Sequence, residues 1–322
     1  MGNHNTETAG KLETAIEMGL SSKEQRQVAV IKVPFGLGGA RGGAELGPDE
    51  LITAGLKREI ARLGLVLTEE VRVECPLVAD APIDRNRAKY LREVRQVSER
   101  VCAEVSRVVA GGVFPLVLGG DHSVAIGTMA GLTSHYSNLG VIWFDAHADL
   151  NTEERSLSGN MHGMSLAAAL GHSVFNLSHI PGVGPFINPS NLVYVGLRDI
   201  DEYEKEQIRA HGIKSFTMHD IDRMGIQWVV EQAVAVAGKG SDGIHLSFDM
   251  DCLDPREAPG VGTPVPGGLN YREAHFALEL LASTNRITSM ELVEVNPLFD
   301  HNRHTARLGV ELIASLLGKR IL

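Results

Sequence analysis

The sequence predicts an α/β protein, with a mostly parallel sheet covered by helices on both faces. Three observations lead there. Short runs rich in Val, Ile and Leu recur along the chain, each bounded by Gly, Pro or Asp, as buried strands require. Segments with helical spacing lie between them, so strand and helix alternate. Glycine is abundant, at 35 of 322 residues, and clusters just after the apolar runs, where sharp turns at strand ends need it.

In chain order the strand runs are Val28 to Pro34, Val113 to Leu118, Leu139 to Phe144, Leu192 to Leu197, Gly243 to Phe248 and Ile287 to Val293. The helical segments are Asp49 to Leu63, Ala88 to Val109, Val124 to Ser134, Met164 to Leu170, Glu202 to Ala210, Ile226 to Ala237, Tyr271 to Ala282 and Ala306 to Leu317. No Pro/Ser-rich tract, internal repeat or charge block interrupts the alternation, so residues 26–322 read as one catalytic domain behind a polar segment, 1–25.

Composition narrows the partners. Forty acidic against thirty basic residues give a net charge of -10, the wrong sign for neutralising phosphates, so no nucleic-acid partner is expected. No apolar run approaches the roughly 18 residues that span a bilayer, and Met1 to Gln25 lacks the apolar stretch of a signal peptide. Three scattered cysteines, Cys75, Cys102 and Cys252, fit neither a disulfide framework nor a zinc ribbon. A cytoplasmic protein with no membrane partner is the expectation.

In an open parallel sheet, ligands bind beyond the carboxyl ends of the strands. Four of the runs end in chemistry: Gly119, Gly120, Asp121, His122, Ser123 after the second; Asp145, Ala146, His147, Ala148, Asp149 after the third; Asp249, Met250, Asp251 after the fifth; Glu294 after the sixth. Side chains two apart share a face of extended chain, so Asp145, His147 and Asp149 converge on one point and Asp249 with Asp251 on another. With His122 the set is four carboxylates and two imidazoles, which repel and desolvate one another unless cations sit between them. Carboxylate-rich sites with some imidazole suit Mn or Mg, and one ion cannot use six protein ligands and keep an open position. Two divalent ions follow. Their four positive charges balance four aspartates, and a water they share would be acidified toward neutral pH. His245 lies within a strand and is expected to be buried and hydrogen-bonded. His135, His172, His179, His211, His219, His275, His301 and His304 sit in loops or helices without partners.

These motifs resemble the ureohydrolase family and, within it, the arginase branch. The likeness spans about Val28 to Leu317. It rests on Gly-Gly-Asp-His-Ser at 119–123, Asp-Ala-His-Ala-Asp-Leu-Asn at 145–151, Ser-Gly-Asn-Met-His-Gly at 158–163, Ser-Phe-Asp-Met-Asp-Cys-Leu-Asp-Pro at 247–255 and Val-Glu-Val-Asn-Pro at 293–297. The resemblance implies a three-layer α/β/α sandwich with about eight strands, two Mn2+ per chain, and a trimer or hexamer. It further implies that a metal-bridging hydroxide hydrolyses L-arginine to L-ornithine and urea. By the same resemblance His122, Asp145, His147, Asp149, Asp249 and Asp251 are the metal ligands, His162 moves protons, Glu294 holds the guanidinium, and Asp149 belongs to the catalytic set. Asn151, Ser158 and Asn160 match the loop that binds the substrate carboxylate, Asp201 and Glu204 the segment that receives the ammonium, and Thr263 a supporting threonine. Cys252 departs from the arginase pattern toward that of agmatinases, which leaves agmatine or a guanidino acid as the alternative substrate.

Overall fold

The computed structural model describes residues 26–76, 87–184 and 186–321, so the polar segment 1–25 lies outside the described residues. Eight strands are present: β1 (Gln27–Val33), β2 (Val66–Arg72), β3 (Phe114–Gly119), β4 (Leu139–Phe144), β5 (Leu192–Leu197), β6 (Lys214–Thr217), β7 (Gly243–Asp249) and β8 (Ile287–Val293). They form one sheet in the order β2-β1-β3-β8-β7-β4-β5-β6, and every neighbouring pair is parallel. The four strands that end in acids and imidazoles, β3, β8, β7 and β4, are therefore the four central neighbours. Their carboxyl ends share one rim.

Alternation along the strands builds two cores. Val28, Leu116, Ile142, Phe144, Leu246 and Phe248 face one cluster with helices Ile226–Ala237, Tyr271–Ser283 and His304–Leu316. Ile31, Val117, Val141, Trp143 and Tyr194 face the other, with helices Leu91–Ala110, Ala125–Thr133 and Ser165–Ala169. Three layers result, as the sequence predicts. Strands β3, β4, β5 and β7 are buried at every position, which is why apolar residues dominate them, with His245 and Ser247 the buried polar exceptions inside β7.

The two strands absent from the sequence reading are the sheet's edges. β2 alternates exposed and half-buried residues and carries Thr68, Glu69 and Glu70, so it has no apolar run to detect. Glu70 is paired instead with Lys32 at 2.7 Å and Lys57 at 2.9 Å. β6 is four residues long, and the short helix after it, Met218–Met224, buries only Ile221. The segment predicted as one helix from Asp49 to Leu63 is two, Gly47–Thr53 and Leu56–Arg62, because Gly55 adopts φ 112 between them.

Five of the eight histidines read as lacking partners have one. His135 meets Ser106 Oγ at 2.8 Å, His275 meets Ser315 Oγ at 2.8 Å, His172 and His211 stack with ring centroids 4.2 Å apart, and His179 caps a turn at Asn176. Each partner is distant in sequence or local to a turn, where periodicity carries no signal. His245 is fully buried and meets Ser289 Oγ at 2.9 Å, as expected.

Helix Ile226–Ala237 comes so close to β4 that a Cβ on Gly140 would lie 2.0 Å from the carbonyl oxygen of Ala237. Gly140→Ala is expected to lower stability by about 1–3 kcal/mol, since overpacking forces the helix from the sheet. Urea unfolding checks this, and an unchanged midpoint would contradict the close approach.

Candidate metal centre and active site

The rim residues are brought together by turns rather than by extended chain. The amide of His147 donates to Asp145 Oδ1 at 2.7 Å, that of Asp251 to Asp249 Oδ1 at 2.7 Å, and that of Ser123 to Asp121 Oδ1 at 2.9 Å. Each aspartate thus folds the chain over its own carboxylate. The sequence argument assumed a shared face of extended strand, and the convergence it expected arises from these turns. Asp149 and Glu294 hold left-handed φ values of 52° and 65°, a strained choice for non-glycine residues.

Two groups of ligand atoms result, His122 with Asp145 and Asp249, and Asp145 with His147 and Asp251. Asp145 belongs to both. His122 Nδ1 lies 3.1 Å from Asp145 Oδ2, 3.2 Å from Asp149 Oδ2 and 3.1 Å from Asp249 Oδ2. His147 Nδ1 lies 3.4 Å from Asp145 Oδ1 and 3.1 Å from Asp251 Oδ2. Three carboxylate oxygens around one ring nitrogen are more than one proton can serve, and His122 Nδ1 and Asp149 Oδ2 are buried without a hydrogen-bond partner.

The hydrogen bonds behind His122 settle what Nδ1 offers. Ser247 Oγ donates its single proton to Glu291 Oε1 at 2.8 Å and so accepts from His122 Nε2, also at 2.8 Å. With the proton on Nε2, Nδ1 presents a lone pair to the three carboxylates. Burial opposes charge on His122, but those carboxylates outweigh it and favour positive charge at this point. Burial, then the charge of Asp145, pushes Asp149 up to about 6; burial, then Asp251, pushes Asp249 well above the usual carboxylate range. Trp143 completes the mounting. Its indole stacks on His122 at 4.1 Å and donates to Asp145 Oδ2 at 3.0 Å. This donor set fits two divalent cations, one on each side of Asp145.

A cleft of about 230 Å³ opens above these groups, lined by His147, Asp149, Asn151, His162, Gly163, Asp199, Asp201, Glu204, Asp249, Asp251 and Thr263. His162 Nδ1 meets Glu294 Oε1 at 3.1 Å, and the same oxygen accepts from the His122 amide at 2.9 Å. Burial would lower His162, but the bond to Glu294 overrides it and holds the imidazole at about 9. Burial would raise Glu294, yet the bond to His162 and its charge hold it below its ordinary value. The pair is a charged one at neutral pH.

On the opposite wall Asp201 caps helix Glu202–His211, accepting from the Glu204 amide at 2.9 Å, and its other oxygen accepts from Asn151 Nδ2 at 2.9 Å. Glu204 accepts from the amides of Asp201 and Leu150, and burial, then the charge of Asp201, pushes it up to about 7. Thr263 Oγ1 donates to Asp251 Oδ2 at 3.0 Å. Ser158 and Asn160 are turned elsewhere: Ser158 Oγ accepts from the Asn160 amide at 3.2 Å, and Asn160 Oδ1 from Lys89 Nζ at 3.0 Å. Cys252 is fully buried in the apolar core, and burial pushes its thiol well above the usual range.

A larger cavity, about 790 Å³, opens at the other end of the sheet around Arg26, Val113, Phe114 and Ile287. Arg26 is its only charged lining residue, and its guanidinium stacks on Phe114 at 4.1 Å. The chemistry is at the acidic rim. Sequence reasoning missed Ser247, Glu291 and Trp143. The one signal in the sequence is the recurrence of His245, Ser247 and Asp249 at strand spacing; the register that sets Ser247 beside Glu291 of β8 comes from the structure.

A parallel sheet whose carboxyl rim holds two His/Asp groups able to ligate metal, beside a His–Glu couple, has the build of an enzyme with a binuclear metal site. The Arginase family model matches residues 26–318. The arginases of Bacillus caldovelox and Bacillus subtilis are 46% and 45% identical to the chain, covering 92% of it and 100% and 99% of their own lengths. Crystal structures of those two arginases superpose with TM-scores of 0.87 and 0.86, each over 92% of this chain and 100% of theirs. An Entamoeba histolytica arginase crystallised in complex with L-ornithine is 32% identical, with a TM-score of 0.84 over 92% of this chain and 99% of that one. The chain belongs to the arginase family. It is a hydrolase of the ureohydrolase type.

Divalent cations should raise the melting temperature, because ions that bind only the folded chain stabilise it, by about 2.7 kcal/mol at a hundredfold excess over Kd. The gain should shrink as pH falls through about 6, where Asp149 takes up a proton that competes with the ion. Thermal melts with and without Mn2+ at several pH values check both. A melting temperature indifferent to the metal would contradict the fit.

Proposed function

We propose that the chain hydrolyses L-arginine to L-ornithine and urea with two Mn2+ bound. The observation that carries this reading is the division of the ligands into two groups that share Asp145, directly beside the His162–Glu294 couple. Proposed ligands are His122, Asp145, Asp149 and Asp249 around one ion and Asp145, His147 and Asp251 around the other. A pair of such ions supplies Lewis acidity, making a water acidic enough to attack a guanidinium carbon near neutral pH.

The chain's own residues do the rest. Glu294, ionised, offers carboxylate oxygen to the planar guanidinium, a geometry suited to paired N–H donors. His162, protonated at neutral pH and held through Nδ1 by Glu294, gives a proton to the departing amine. Asp201, with Asn151 and Glu204 behind it, faces the ammonium end of the substrate. Asn151 also serves the carboxylate, with Ser158 and Asn160 on the adjoining loop. Product-bound structure in a relative of the same family supports the amino-acid grip. A single catalytic domain over 26–322, assembly as a trimer or hexamer, and a cytoplasmic location belong to the same proposal. No helix among the described residues is long and apolar enough to cross a membrane.

Urea release from L-arginine, agmatine and 4-guanidinobutyrate, assayed in parallel after Mn2+ loading, tests the substrate. L-Arginine should be strongly preferred, and a preference for agmatine would overturn the reading. His162→Asn should lower kcat by roughly 10²- to 10⁴-fold with metal content and KM little changed, because it removes a positioned acid. Wild-type turnover across pH in that variant would remove the proton-transfer role. Asp201→Ala should lower kcat/KM for L-arginine at least tenfold, since losing a carboxylate that pairs with a charge in a cleft typically costs about 2–5 kcal/mol. Residual turnover of 4-guanidinobutyrate, which has no ammonium, should be spared. Equal losses would make Asp201 only a helix cap.

A further inference from the structure

Arg198 follows β5 and is half-buried, yet its guanidinium bonds only to main-chain carbonyls. Nη2 donates to Asp251 O at 2.7 Å, Leu253 O at 3.1 Å and Val265 O at 2.7 Å. Nη1 donates to Cys252 O at 3.1 Å and Gly196 O at 3.3 Å, and Nε to Val265 O at 3.2 Å. Three stretches of chain are joined in this way: the end of β5, the turn 250–253 that carries Asp251, and the loop that carries Thr263. Thr263 Oγ1 itself donates to Asp251 Oδ2 at 3.0 Å. Space is kept for this arrangement by Gly268, where a Cβ would approach Arg198 Nη2 to 2.6 Å.

Carbonyl oxygens aimed at one point repel each other and are satisfied only by a cation among them. A guanidinium serves five acceptors because its five N–H groups are fixed in a plane. An ammonium has three donors and leaves at least two of the five carbonyls unserved. On one side of Asp145 the ligand group depends on the turn Arg198 holds, through Asp251. On the other side, His122 is held by Ser247 and Asp249 is the last residue of β7, and none of the Arg198 hydrogen bonds goes to either.

We propose that Arg198 is a positioning residue for one of the two cations: it fixes the Asp251 turn and its Thr263 partner, and thereby sets the affinity of the ion between Asp145, His147 and Asp251. The same guanidinium ties that turn to the end of β5, from which Asp199 and Asp201 enter the cleft. The inference rests on the two-ion reading above.

The test is titration of metal-free protein with Mn2+, following the free aqua ion by electron paramagnetic resonance. Wild type should show two sites. Arg198→Ala should weaken one of them by about 10- to 100-fold, as lost support for a ligand does, and leave the other nearly unchanged; Arg198→Lys should give a smaller loss at the same site. Adding His122→Asn to Arg198→Ala should then remove the site that had survived. Parallel weakening of both sites, unchanged affinities, or an Arg198→Lys protein that fails to fold would overturn the proposal and leave a general staple of the fold. Fewer than two sites in wild type would instead overturn the two-ion reading, whatever the variants do.

Discussion

The structure is organised around crowded negative charge. Asp145, Asp149, Asp249 and Asp251 are all buried at the carboxyl ends of central strands, with His122 among three of them. Carboxylates at this density lose hydration and repel each other, so the arrangement is stable only with positive charge between them. Much of the surrounding fold serves to hold that arrangement in place. Trp143 and the His147 amide hold Asp145. Ser247 and Glu291 orient His122 from inside the sheet, and His245 stands behind Glu291, with Nε2 at 3.4 Å from Oε1.

Strand order turns local turns into one site. Because β3, β8, β7 and β4 are adjacent, turns as far apart in sequence as those of His122 and Glu294, 172 positions, meet within hydrogen-bonding distance. β5, next in the sheet, adds the wall with Asp201 and Glu204. The sheet stays rigid at this rim because its central strands are fully buried and packed on both faces. The left-handed backbone at Asp149 and Glu294 is held by main-chain bonds to neighbouring elements: Asp149 O accepts from the Leu166 amide at 3.0 Å, and the Glu294 amide donates to Gly120 O at 2.8 Å.

How much of this could be read in the sequence depended on burial. β3, β4, β5 and β7 announced themselves by runs rich in apolar residues, and the acids and imidazoles that end three of them are found where each run stops. β2 escaped because an edge strand solves its exposure with charge, as Glu70 does with Lys32 and Lys57. The convergence of Asp145 with His147, and of Asp249 with Asp251, was expected, although the turn geometry that produces it was not. Ser158 and Asn160 sit on the expected loop, where Ser158 Oγ accepts from the Asn160 amide and Asn160 Oδ1 from Lys89, contacts that the motif alone does not show. Glu291, Ser247 and Arg198 needed the structure, because strand register and main-chain carbonyl direction decide what each one supports.

The central claim is that one carboxylate, Asp145, is shared by two ions held in different imidazole environments. Anomalous diffraction at the manganese edge, from crystals of the Mn2+-loaded protein, tests it most directly. The account predicts two peaks per chain flanking Asp145, one adjoining His122 and the other His147. A single peak, or two peaks that do not share Asp145, would contradict it.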